Sequence, residues 1–177
     1  DYIKAGAALA VGVVTSGVRN ESDPALALLA EHVESKSSAM KCAAVVGLGV
    51  AYAGMARQDV LELIAPIIAD SDNINMVEAS VGLASLSLGL IFVGTCNEEV
   101  GSLLAQRLME SSDAELDQGM ARFVCVGLGL LFLNKAERAD AMAEVVKTVE
   151  HPLGRFCSVV LETCAYACTG NVLQVMR

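Results

Sequence analysis

The 177-residue chain is 54% hydrophobic, 19% charged and 4% aromatic, with no Trp and a formal charge of -9. It has no run of Lys and Arg to neutralise phosphates, which excludes nucleic-acid binding as its work, and its acidic surface favours basic partners. Ala, Val, Leu and Gly supply the apolar volume, which suits close backbone approach more than a bulky aromatic core.

In chain order, the first apolar segment runs from Ala8 to Gly17. A polar turn follows, and Pro24 opens a second helix expected over 24–36, since Pro is pre-set for a first helical turn. The pattern then recurs. Apolar segments end at Gly54, Gly94, Asn134 and Gly170, so the anchors 17, 54, 94, 134 and 170 are spaced 37, 40, 40 and 36 apart. Gly and Asn are the residues that tolerate the left-handed conformation ending a helix. Five residues before each anchor stands Gly12, Gly49, Gly89, Gly129 or Ala165, small enough to let a neighbouring backbone come close.

After each anchor a second helix is expected, over 57–69, 97–110 and 136–149. Pro66 should bend or end the first of these. The two helix types differ. The first is apolar nearly all round, as in a helix covered on every side. The second is amphipathic: in 136–149, Met142, Val145, Val146 and Val149 form the stripe, and Glu137, Arg138, Asp140, Glu144 and Lys147 face away. An all-α fold follows, a single domain over 1–177. It is an α-solenoid of helix pairs, with repeats near 1–37, 38–73, 74–113, 114–151 and a partial 152–177. The chain starts and stops inside helical patterns, as an excised arc would. It has no recognisable n-region and cleavage site, and the apolar faces of its end repeats invite self-association.

Residues 79–97 are uncharged throughout, a length that could span a bilayer. The equivalent runs are shorter, 42–56 and 123–134, and charged helices separate them, so no membrane span is expected. Catalytic signals are missing as well. Gly47-Leu48-Gly49 and Gly127-Leu128-Gly129 lack the third Gly and the preceding strand of a phosphate loop. Cys164 and Cys168 are four apart on one helix face, but zinc wants two more ligands. The six cysteines read as reduced, small hydrophobes, and neither His32 nor His151 has a nucleophile for a partner. Asn20-Glu21-Ser22 matches a glycosylation sequon that the turn explains. No enzyme activity, metal or cofactor is expected.

Repeats of this length with this Gly spacing resemble the proteasome/cyclosome repeat. The stretches Tyr2-Ile3-Lys4-Ala5-Gly6-Ala7, Asp23-Pro24-Ala25-Leu26-Ala27-Leu28-Leu29, Val93-Gly94-Thr95-Cys96-Asn97 and Cys164-Ala165-Tyr166-Ala167-Cys168-Thr169-Gly170-Asn171 carry the likeness across the chain. The resemblance implies a toroid of two concentric helix rings, in the base of the proteasome regulatory particle beside the ATPase ring, in cytoplasm and nucleus. It also implies docking of ubiquitin and of the ubiquitin-like domains of shuttle factors and a deubiquitinase. The family's docking residues match Glu99, Gln106 and Glu110 here, with Leu103 at the edge. Helix geometry agrees: at 100° per residue, 106 and 110 lie about 20° to either side of 99, while Val100, Leu104 and Leu108 point to the opposite half. Neighbouring acids at Asp59, Glu62, Glu137 and Asp140 are candidates to complete the surface. A purely structural repeat spacer, contacting neighbouring proteasome or anaphase-promoting-complex subunits, is the alternative.

Overall fold

A computed structural model of the chain describes residues 2–19, 21–69 and 77–171, without the side chains of residues 77 and 78. Asn20 of the sequon and residues 172–177 lie outside the described residues. Within them the fold is all-helical, ten α-helices without a strand: α1 (Tyr2–Val14), α2 (Pro24–Leu29), α3 (Ser38–Ala51), α4 (Gln58–Ala69), α5 (Val77–Ile91), α6 (Glu98–Glu110), α7 (Asp113–Leu116), α8 (Ala121–Leu131), α9 (Asp140–Lys147) and α10 (Pro152–Ala165). Short 3-10 turns, Ala30–His32 and Ala136–Ala139, extend α2 and precede α9.

The apolar helices form one row in which α1 packs on α3, α3 on α5, α5 on α8 and α8 on α10. The amphipathic helices α4, α6 and α9 pack side by side on that row. Glycine sets the row's spacing. A Cβ on Gly12 would lie 2.4 Å from the Cα and carbonyl oxygen of Gly47, and one on Gly89 would lie 2.5 Å from the same atoms of Gly127. The backbones themselves are in contact there, so no side chain fits. Around these crossings Leu48, Leu88, Ile91, Leu104, Leu128, Leu131 and Leu161 are buried, each worth about 1.5–3 kcal/mol relative to exposure.

The turns complete the stack. Gly17, Gly54, Gly94 and Asn134 have φ of 73, 73, 63 and 58°, as their residue types foretold. From Gly54 onward these turns aim backbone N–H groups at the next apolar helix. Gly54 and Ala56 donate to the carbonyls of Leu90 and Ile91, both at 2.9 Å; Gly94 and Cys96 donate to Leu130 and Leu131, at 2.9 and 3.1 Å. Asn134 donates to Cys164 at 3.0 Å. Each junction thus satisfies carbonyls that a helix end leaves without partners.

Several expectations shift. In the last repeat the residue in the place of Gly94 is Cys168, φ 62°, because Thr169 bonds Tyr166 as Thr95 bonds Phe92. Gly170 then stands where Cys96 does, and the final spacing shortens from 36 to 34. Ala165 is the last residue of α10, and Thr163 takes the place of Gly129. Cys164 and Cys168 therefore do not share a helix face.

The helix expected over 24–36 stops near His32, where Ser35 turns the chain and accepts the N–H of Ser37 at 3.2 Å. Pro66 does not end α4, which runs through to Ala69 with the ring exposed. The helix expected over 136–149 begins with a 3-10 turn. At three residues per turn that rotates the following face. Ala143 and Val146 are buried and Val145 is exposed, outside the stripe assigned to it. The uncharged run over 79–97 breaks at the Gly94 turn, and no helix among the described residues is long and apolar enough to cross a membrane.

Candidate functional site

Helix α6 carries the candidate stripe. Thr95 opens it, its hydroxyl donating to the Phe92 carbonyl at 2.7 Å and accepting the N–H of Asn97 at 3.3 Å. Asn97 is the N-cap, its Oδ1 accepting from the N–H of Val100 at 3.0 Å. Glu98 and Glu99 in the first turn suit the positive end of the helix dipole. One face of the helix is buried: Val100 and Leu104 at 0% exposure and Leu108 at 3%. That fixes the rotation of the other face.

Glu99, Gln106 and Glu110 are all exposed on that other face, and Leu103 is half-buried beside them. The stripe is partly bonded. Gln106 Nε2 donates to Glu110 Oε1 at 2.7 Å, and Gln58 Nε2 of α4 donates to Glu99 Oε2 at 2.9 Å. The second bond ties adjacent amphipathic helices together. Gln58 carries no charge and sits at the first position of its helix, so nothing in the sequence singled it out.

The flanking acids fall on both sides. Asp59 and exposed Glu62 lie on α4, and exposed Glu137 and Asp140 lie on and beside α9. Asp59 is already engaged: Arg57 Nε donates to its Oδ1 at 2.8 Å, and these hydrogen bonds hold its carboxyl below the usual carboxylate range. On the α9 side exposed apolar side chains stand among these charges. Met109 is 53% exposed and Val145 38%, and the Thr148 hydroxyl lies 4.0 Å from Met109 Sδ. Of these two, Val145 was expected in the covered stripe of its helix.

Beneath the C-terminal end of α6, Arg107 is buried and its Nη2 lies 3.0 Å from Glu115 Oε1. Glu115 also accepts from the N–H and hydroxyl of Ser112, closing a capping box on α7. The Ser112 bonds, then Arg107, lower its carboxyl pKa despite partial burial. No group of His, Cys, Asp and Glu among the described residues is placed to hold a metal ion. His151 caps α10, its Nδ1 accepting from Leu153 N–H at 3.1 Å, and its Nε2 lies 3.4 Å from Asp117.

Compared with known proteins, the chain is 44% identical over 176 residues to the 26S proteasome non-ATPase regulatory subunit 2 of Dictyostelium discoideum, a match covering 97% of the chain. The chain is homologous to a segment of this proteasome subunit. The 26S proteasome regulatory subunit rpn-1 of Neurospora crassa is 39% identical over 100% of the chain, and rpn1 of Schizosaccharomyces pombe 44% over 98%. The chain spans about a fifth of the length of these relatives, 19 or 20% in each. No protein-family model matches it.

Proposed function

We propose that the chain is a solenoid arc of a non-catalytic proteasome scaffold, and that α6 docks ubiquitin and the ubiquitin-like domains of shuttle factors and a deubiquitinase. Homology to a regulatory subunit supports the first half. The exposed row of Glu99, Gln106 and Glu110 on a helix whose other face is buried supports the second. Two carboxylates with Leu103 on one side and Met109 on the other suit a partner with an apolar patch ringed by basic residues. In this reading the arc continues into a toroid, beside the ATPase ring and other regulatory-particle subunits, in cytoplasm and nucleus.

A small interface of this kind gives affinities on the order of micromolar to high nanomolar. Replacing Glu99 and Glu110 with Arg reverses the field without touching the core. Binding of a ubiquitin-like domain should then weaken at least several-fold while the circular dichroism spectrum stays the same.

The Gln58–Glu99 bond favours a second reading, a structural spacer in which Glu99 only joins neighbouring helices. Pulldown with ubiquitin chains separates the two. A spacer retains none.

A further inference from the structure

The first amphipathic segment is held differently from the others. Helix α2 and its 3-10 turn pack on α1 and α3, seated by buried Ala25, Leu29 and Val33. Its link to the second amphipathic helix is a cluster of side chains. The Tyr52 hydroxyl, at the end of α3, donates to Asp23 Oδ1 and accepts the N–H of Leu26 at 2.9 Å, so a tyrosine of the next repeat caps α2. Arg57 lies over the Tyr52 ring, 4.9 Å from its centroid, with Nη2 2.8 Å from Asp23 Oδ2. The places of Tyr52 in the next two repeats are taken by Phe92 and Phe132, which have no hydroxyl.

The backbone bonds that stitch the later junctions give way here to a side-chain one, Ser16 Oγ to the Val50 carbonyl at 3.2 Å. Arg57 also has a second carboxylate, Asp59 on its own side of the junction. If Asp23 departs, Arg57 stays paired, and no cation is stranded. That lowers the cost of opening relative to breaking an ordinary buried pair.

We propose that residues 21–33 form a latched strap, which opens as a unit ahead of the rest of the stack when Asp23 leaves Tyr52 and Arg57. Leu29 lies over the Gly12–Gly47 crossing, its Cδ1 2.9 Å from where a Cβ on Gly47 would stand, so opening uncovers that crossing.

Hydrogen exchange of the whole chain, read by mass spectrometry, tests this. Asp23→Asn removes the charge that holds Arg57. Peptides covering 24–33 should exchange at least ~10-fold faster, as a local opening unit does, with 98–110 and 121–131 unchanged. Asp59→Asn removes only the local partner and should leave the strap as protected as before. If Asp23→Asn does not fold, Tyr52→Phe, which deletes the hydroxyl alone, should give the same selective loss of protection. Unchanged exchange over 24–33, equal acceleration in every helix, or the same loosening from Asp59→Asn would overturn the proposal.

Discussion

Adding one methyl group at Gly89 should destabilise the chain, and adding one at Gly6 should stabilise it. Both glycines lie inside helices, and Ala is the better helix former by roughly 0.5–1 kcal/mol. At Gly6 nothing lies within 4 Å of the added carbon, and that gain stands alone. At Gly89 the carbon meets the Cα, O and C of Gly127 at 2.5, 2.5 and 2.9 Å, all backbone. No rotamer relieves that contact, so α5 and α8 must separate by about 1 Å to reach ordinary carbon contact distances. Overpacking of this kind costs about 1–3 kcal/mol, and the loosened contacts of buried Leu88 and Leu128 put it at the upper end. The net loss is about 2 kcal/mol, or roughly 4–8 °C in Tm for a chain of this size. Thermal unfolding followed by circular dichroism on Gly89→Ala and Gly6→Ala measures both. A Gly89→Ala chain as stable as the parent would refute the claim that backbone contact sets the spacing of the row.

Three further outcomes are expected. Cys168 holds a left-handed φ of 62° at an exposed turn, so Cys168→Gly should raise the urea midpoint, by about 0.5–1 kcal/mol of stability. The Glu115 carboxyl is lowered from its ordinary 4.5 by Ser112 and Arg107, so its contribution is full above that value and disappears as pH falls through the folded pKa. Glu115→Gln should therefore lose stability at pH 7 and show a shallower acid limb, checked by urea titrations from pH 7 to 3. Ile3 is 91% exposed and Val159 57% on the two end helices. Sedimentation of the 177-residue chain should show concentration-dependent association that Ile3→Glu with Val159→Glu removes, since exposed apolar patches are adhesive.

The turns between helices were legible because their punctuation is chemical. Gly17, Gly54, Gly94 and Asn134 occupy the left-handed positions that their residue types foretold, and the small residues before them mark the helix crossings. The stripe of Glu99, Gln106 and Glu110 was legible for the same kind of reason, since Val100, Leu104 and Leu108 fix the rotation of α6. The last anchor was not. Gly170 looked like the fifth member of the Gly and Asn series, and the hydrogen bonds of Thr169 show that a cysteine takes the place instead. Val145 escaped because a 3-10 turn changes the helical phase ahead of it, which a period of 3.6 does not register. The Arg107–Glu115 pair, the Tyr52 cap and the Gln58–Glu99 bond each join residues from different elements, and neither spacing nor composition records such meetings.

A titration of the isotope-labelled chain with a ubiquitin-like domain bears most directly on the docking role. Backbone shifts should concentrate on Glu99, Ser102, Leu103, Gln106 and Glu110, and the Glu99→Arg, Glu110→Arg chain should lose them. Shifts confined to the end helices α1 and α10, or none at saturating partner, would contradict it.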